Sequence, residues 1–341
     1  MAEPPRRTTI VDVGKLAGVS SKSVSRVLND APNVTPELRK RVLDAAEQLN
    51  FHPNTFAQGL VRQRSHLIGL IYENPSPSYV VELQMGVLDT LHGGRYRLVV
   101  LPVQSVEHRA HEIVGLMRSA GLDGAVLAPP ASDHPVVLKQ LNAAHMHYAR
   151  ISPTRNVERG LSHLIDDIAA AREIAGHLVS LGHRHIGIIQ GDPTHPATQA
   201  RMTGYTEALA DAGLAPEERL VEHGLFTFES GYEAGKRLLA QRDRPTAILA
   251  ENDEMAVGAM TAAREMGIDI PGELSVAGFD DSEVSRIVWP RLTTIRQPVF
   301  EMAAAATEML IARLEGNSED YLVHHSHRLI VRESTTPPAW P

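Results

Sequence analysis

A chain of 341 residues that is 43% hydrophobic is long enough for two or three domains of roughly 150 residues each and buries an ordinary core. It has no cysteine, which excludes disulfides and thiolate metal sites, and no apolar run near the ~18 residues a membrane span needs. The net charge of −8 hides an asymmetry: residues 1–64 carry ten Lys or Arg against six Asp or Glu, and residues 65–341 carry 23 against 35, so only the N-terminal segment suits phosphate.

In chain order, Met1–Arg7 lacks an apolar stretch behind it and reads as no secretory signal. Thr9 is placed to cap a first helix, with Asp12 three residues on to reach back. Val13 and Leu16 are expected on its buried face. Gly18 supplies the positive φ of the turn Ala17-Gly18-Val19. Ser20 caps a second helix, whose Val24, Val27 and Leu28 form an apolar stripe. The other face shows Ser21, Lys22, Ser25 and Arg26, all hydrogen-bonding and none bulky. Such a short helix fits the major groove of B-DNA; read plainly, it is also a small amphipathic hairpin on a larger domain. Thr35 and Pro36 start a third helix with Leu38, Val42, Ala45, Ala46 and Leu49 buried. The pattern predicts a helical headpiece over 1–50 and a hinge segment over 51–65. Gly59 costs the hinge about 1 kcal/mol of helix stability relative to Ala, so it is expected to fold only when bound.

From Leu67 short apolar runs alternate with helical patterns. Strands are expected at 67–71, 98–101, 125–127, 186–189, 247–250, 274–278 and 293–295, with a further one near Tyr148. Helices are expected at 79–92, 106–119, 168–181, 200–212, 231–240, 254–266 and 299–314. This alternation predicts an α/β class with two doubly wound parallel-sheet subdomains in series, helices on both faces of each. The subdomains are drawn at 66–163 plus 295–322 and 164–292 plus 323–337.

Ligands of doubly wound sheets bind beyond the carboxyl ends of the strands. Arg201, Asn252, Asp280 and Gln297 follow strands or open helices there. They supply the donors and acceptors a polyhydroxy ligand needs. Tyr79 and Phe226 offer aromatic faces. Each has a plainer alternative: Asn252 and Asp280 as helix caps, Phe226 as core. No G-x-S-x-G, G-x-x-x-x-G-K, H-E-x-x-H or post-strand G-x-G-x-x-G occurs, so an enzyme is disfavoured. The 17 histidines are scattered. The pairs His183/His185 and His324/His325 lack metal-motif spacing and read as surface or packing residues, so neither metal nor cofactor is expected.

The run Asp12-Val13-Gly14-Lys15-Leu16-Ala17-Gly18-Val19-Ser20, then Ser23-Val24-Ser25-Arg26-Val27-Leu28-Asn29, resembles the headpiece of the LacI/GalR family of bacterial transcription regulators. The likeness continues through Val34-Thr35-Pro36-Glu37, Leu49-Asn50-Phe51-His52-Pro53-Asn54, Ala57 and Leu60. It resumes in Arg201-Met202-Thr203-Gly204-Tyr205, Ala250-Glu251-Asn252-Asp253, Gly278-Phe279-Asp280-Asp281 and Leu292-Thr293-Thr294-Ile295-Arg296-Gln297. The resemblance implies a helix-turn-helix headpiece and hinge helix on a periplasmic-binding-protein-type core that binds an effector and dimerises. It implies a cytoplasmic homodimer on palindromic double-stranded operator DNA, most simply a repressor released by a sugar or glycoside, and no membrane partner. A nucleobase or other metabolite acting as co-repressor stays open. A transport sugar-binding protein shares the core but has no headpiece. Thr9, Ser21, Lys22, Ser25, Arg26, Asn29, Asn54, Gln58 and Leu60 are the implied DNA contacts. Tyr79, Arg150, Arg201, Phe226, Asn252, Asp280 and Gln297 are the implied effector contacts. Arg150 departs from the family, which often has Asp there. Pairing with Asp166 or Asp280, or an anionic effector, is expected. The C-terminal Ser334–Pro341 shows no leucine heptads, which favours a dimer over a tetramer.

Overall fold

The computed structural model describes residues 8–28, 31–51, 64–73, 76–316 and 321–339. The chain divides into two compact units between Ser65 and His66. Among the described residues no helix is long and apolar enough to cross a membrane.

The first unit holds α1 (Ile10–Ala17), α2 (Ser21–Leu28) and α3 (Pro36–Gln48). The Thr9 hydroxyl accepts from the Asp12 N–H while the Asp12 carboxylate accepts the Thr9 N–H at 2.9 Å, closing a capping box. Gly18 ends α1 at φ +64°, a conformation that costs a residue with Cβ. Ser20 Oγ accepts the Ser23 N–H at 3.1 Å, and Arg41 of α3 donates to the Ala17 carbonyl at 2.6 Å, pinning the turn. Val13, Ala17, Val24, Val27, Val42, Ala45 and Ala46 form a closed core, flanked by Ile10, Leu28, Leu38, Leu49 and Phe51.

Two expectations change here. Leu16 is 49% exposed. The buried arc of α1 runs through Ile10, Val13, Gly14 and Ala17, and at 100° per residue Leu16 lies roughly 110° from its centre. Phe51 packs against the headpiece core and its N–H bonds the Ala46 carbonyl at 2.8 Å, so it belongs with the headpiece rather than with the hinge.

The second unit has two lobes. The N-terminal lobe has a sheet of β1 (Leu67–Tyr72), β2 (Arg97–Pro102), β3 (Gly124–Leu127), β4 (His147–Ile151), β5 (Leu161–Leu164) and β11 (Tyr321–His324), ordered β11-β5-β4-β3-β1-β2 and parallel throughout. It is covered by α4 (Pro77–Leu91), α5 (Val106–Arg109), α6 (Ile113–Ser119), α7 (Pro135–Ala143) and α13 (Val299–Leu314). The C-terminal lobe orders β12-β10-β9-β8-β6-β7, with β6 (Ile186–Gln190), β7 (Val221–His223), β8 (Ala247–Ala250), β9 (Ser275–Asp280), β10 (Thr293–Arg296) and an antiparallel β12 (Arg328–Ile330). Its helices are α8 (Asp167–Ser180), α9 (Pro196–Asp211), α10 (Phe228–Leu239), α11 (Asp253–Glu265) and α12 (Glu283–Ile287). The central strands β3 and β8 are buried along their whole length, as parallel strands covered on both faces must be.

The chain crosses between lobes three times: after β5, after β10 and after β11. The second and third crossings therefore fall two or more residues later than drawn from the sequence, because Ile295 and Arg296 complete β10 and Val323 and His324 complete β11. The helix expected at 106–119 is interrupted by a 3₁₀ turn at Ala110–Glu112. His183 is a packing residue: its ring nitrogens meet Thr246 Oγ1 at 2.9 Å and the Thr336 carbonyl at 2.9 Å, tying the C-terminal segment to the lobe.

Candidate functional site

The loops after β1, β3, β4, β6, β7, β8 and β9, and the chain just past β10, open towards one cleft between the lobes. Ser76 and Tyr79 come from the start of α4, Pro129 from the loop after β3 and Ser152 from the loop after β4. His195, Ala197 and Arg201 stand on or before α9. Phe226 follows β7, Asn252 follows β8, Asp280 ends β9 and Gln297 begins the second crossing. The arrangement follows from parallel strands, whose carboxyl ends all lie on one edge of the sheet.

Three lining residues hold backbone conformations in the left-handed region: Ser152 at φ +46°, Phe226 at +59° and Asp280 at +121°. Such strain persists only where the surroundings enforce it, and here it sits at residues lining the cleft. Gly191 makes room for the aromatic wall. A Cβ there would stand 2.0 Å from the Phe226 ring. The His195 ring meets Phe226 edge-on at 5.2 Å. His195 Nε2 donates to the Glu73 carbonyl at 3.1 Å, which leaves Nδ1 as a buried acceptor with no hydrogen-bond partner among the described residues. Burial holds this imidazole below its ordinary pKa, so it stays neutral and can accept.

Arg201 is 5% exposed. Its Nε donates to Asp167 at 2.9 Å, its Nη1 to the Glu251 carbonyl, and its guanidinium lies 3.7 Å over the Phe279 ring. Burial opposes its charge, but Asp167, Asp280 and Glu251 outweigh that and hold it above its ordinary pKa. The carboxyls pay for their own burial. Desolvation raises Asp280 to about 7 against the pull of Arg201, and Glu251 to about 8 against the Gly191 N–H. Asp253 is pushed well above the usual range by burial and by Asp280, and its carboxylate accepts from Ser282 and Thr294. Gln297 donates to Asp280. Asn252 caps α11 through the Met255 N–H at 3.0 Å and donates to the Phe226 carbonyl at 2.9 Å. The plain reading of Asn252 as a cap therefore holds, and its side chain also lines the cleft. The lobes touch directly where Ser76 Oγ donates to Glu254 at 2.7 Å.

Tyr79, Arg201, Phe226, Asn252, Asp280 and Gln297 are thus brought together. Arg150 is not. It is 1% exposed and pairs with Asp133 at 2.6 Å, not with Asp166 or Asp280. Its remaining donors go to the carbonyls of Ser132, Arg155 and Asn156. With four of its five N–H donors bonded inside the N-terminal lobe, its charge does not face the cleft. Pro129, Ser76, Ser152, His195 and Ala197 were missed. Ser152 directly follows β4 and Pro129 stands two residues past β3, so the rule of reading residues just past each strand reaches both, and reaches Ser76 and His195 if carried four or five residues on.

In the first unit, Ser21 and Lys22 are exposed in the first turn of α2, Arg26 is exposed one turn on and Ser25 is half-buried. The Arg26 guanidinium reaches the Asn33 carbonyl at 3.4 Å. Thr9 is exposed and its hydroxyl also donates to Asp12 at 2.6 Å. Asn29, Asn54, Gln58 and Leu60 lie outside the described residues.

Residues 9–54 match the lacI family of bacterial regulatory proteins, and residues 175–335 match the periplasmic binding protein-like domain. The chain is 35% identical over 338 residues to the HTH-type transcriptional regulator GalR of Salmonella typhimurium, covering 97% of this chain and 96% of that one. Among solved structures, the Lac repressor dimer bound to operator and the anti-inducer ONPF aligns at a TM-score of 0.83 and 26% identity over 97% of this chain and all of that one. A transcriptional regulator CelR–cellobiose complex aligns at 0.73 and 28% over 96% of this chain and all of that one. A reading head of three short helices and a two-lobed core with a polar cleft thus stand in one chain, along the full length of these relatives. The chain belongs to the lacI family of bacterial regulatory proteins and is a DNA-binding transcription regulator, not an enzyme.

Proposed function

We propose that this regulator is a cytoplasmic repressor that, as a homodimer, occupies a pseudo-palindromic operator and leaves it when a sugar or glycoside binds the cleft. The observation that carries the reading is the cleft itself. Donors and acceptors from both lobes converge on it beside an aromatic wall, the chemistry that a ring of hydroxyls requires. A ligand that touches both lobes favours one lobe angle over another, and shifts the equilibrium by its difference in affinity for the two. Exposed apolar side chains support the dimer. Val81, Met85 and Leu88 form a stripe along α4, and Ile287 and Trp289 stand 73% and 71% exposed on the other lobe.

Ser21, Lys22 and Arg26 are assigned to base edges, and Thr9, Ser25 and Asn29 to phosphates that set register. Asn54, Gln58 and Leu60 are assigned to the hinge contacts, with Leu60 as an apolar wedge in the minor groove. Selecting duplexes from a random pool with the full chain is expected to return two half-sites related by a two-fold axis. Repeating the selection with Lys22→Ala is expected to relax one or two positions in each half-site, a loss of about 1–3 kcal/mol of discrimination there. Identical preferences for the two proteins remove Lys22 from base readout, and selection of no common sequence refutes the operator.

A further inference from the structure

Histidines gather where the chain crosses between the lobes, and none of them lines the cleft. His163 lies in β5, which runs straight into the first crossing, and His325 and His327 lie on the third, between β11 and β12. His163 is fully buried. Its Nδ1 meets His325 Nε2 at 3.2 Å, with the rings tilted and their centres 5.5 Å apart. The His325 N–H also bonds the Leu164 carbonyl at 2.8 Å, so backbone and side chain together tie the third crossing to the start of the first.

His163 Nε2 is buried with no hydrogen-bond partner among the described residues. That atom decides how the proton is shared. With the N–H on Nδ1, donated to His325, Nε2 is left as a bare acceptor. The other arrangement would bury an N–H with nothing to receive it, the more costly defect. Little compensates a proton added here. The register partners of His163, Ile151 on β4 and Val323 on β11, are apolar. Glu301 at the start of α13 is the carboxylate that acts on His325, and it is already held by Arg296 at 2.7 Å. Glu173 on α8 is taken by His327, 3.1 Å away.

We propose, resting on the operator reading above, that the His163–His325 pair is a proton-operated catch on the lobe hinge. Neutral, it holds the lobe angle from which the operator is bound; protonated in mild acid, it lets the operator go without any effector. A proton on His325 Nε2 turns that acceptor into a donor. His163 must then accept through Nδ1 and carry its own proton on Nε2, where it has no partner among the described residues. A second proton sets N–H against N–H and charge against charge at 3.2 Å. Either state breaks the tie between the crossings, and lobe angles other than the operator-bound one gain population. His325 is the entry point, because it is the less buried ring and Glu301 favours its charge, whereas burial lowers His163 to about 4.

The test is fluorescence anisotropy of the selected operator duplex with the full chain, from about pH 6.5 to about pH 5, where a histidine short of full burial takes up its proton. Residues 1–51 contain no histidine, and Asp280 and Glu251 titrate above this window, at about 7 and about 8. The unsubstituted chain is expected to lose at least about tenfold in affinity. His325→Gln offers the His163 N–H an amide oxygen that takes up no proton, and is expected to lose less than about twofold. His163→Leu breaks the tie at every pH and is expected to bind at the upper pH as weakly as the unsubstituted chain binds in acid. Affinity that holds in acid, a His325→Gln chain that falls as far as the unsubstituted one, a His163→Leu chain that binds normally, or a fall that tracks loss of helix in circular dichroism overturns the proposal. In each case operator binding at the upper pH survives. Selection of no common duplex overturns the proposal together with the operator reading.

Discussion

Replacing Arg201 by Ala is expected to destabilise the C-terminal lobe by about 3–5 kcal/mol and to abolish release from the operator by effector. The size follows from what the guanidinium leaves behind. Asp167 loses its partner at 2.9 Å, the Glu251 carbonyl loses a donor and the Phe279 face loses the cation over it. Two further carboxyls held by the same charge, Asp280 and Glu251, remain buried without it. Breaking one side of a buried ion pair is far more costly than exchanging both sides for apolar groups. Arg201→Lys restores a charge but not the planar fork, so it is expected to recover part of the stability and none of the response. Urea unfolding followed by operator gel shifts with and without effector separates the two effects. An unchanged urea midpoint for Arg201→Ala shows that the charge is not what holds these carboxyls.

Stability is expected to pass through a maximum near pH 6–6.5, and the two limbs have different owners. Glu251 and Asp280 have folded pKa values raised to about 8 and about 7. Groups raised in the fold hold more protons there than in the unfolded chain. Their contribution is complete below their unfolded values and is lost as pH rises to 8. His163, buried beside His325, is lowered to about 4, and His177, His183, His195 and His325 are lowered in the same direction by burial. Their contribution is complete above the ordinary histidine value and is lost as pH falls below it. The two sets oppose one another below pH 6.5, and only the carboxyls act between 6.5 and 8. The thermal midpoint should therefore fall across that upper window, by an amount on the order of a few kcal/mol in stability. Glu251→Gln keeps an acceptor for the Gly191 N–H and is expected to flatten the upper limb. A midpoint that rises from pH 6.5 to 8 contradicts this assignment.

Much of this arrangement is written locally. The Thr9–Asp12 capping box, the Gly18 turn and the Val24–Val27 stripe are each set by residues within one turn of helix, and all form as their spacing dictates. The span of α13, Val299–Leu314, follows from its periodicity alone. Elements that depend on partners far along the chain were not legible. β5 carries Ser162 and His163 in a fully buried strand. β7 and β12 are three residues long, too short for any period to register. The cleft shows the same division. Residues placed at strand ends were found because parallel topology puts them there. Arg150 also follows that rule, yet Asp133, 17 positions earlier, turns it inward, and no local pattern announces that pairing. The crossings were misplaced for a related reason, since strand ends are set by register against neighbours and not by the apolar run that marks the strand.

The most direct measurement is calorimetric titration of the effector into the full chain, free and saturated with its selected operator duplex. Linkage requires each ligand to change the other's affinity by the same factor. A repressor released by effector must bind that effector more weakly on DNA, by the factor by which effector weakens operator binding in a gel shift. Equal affinity in both titrations would contradict an induced repressor outright, and tighter binding on the operator would make the effector a co-repressor.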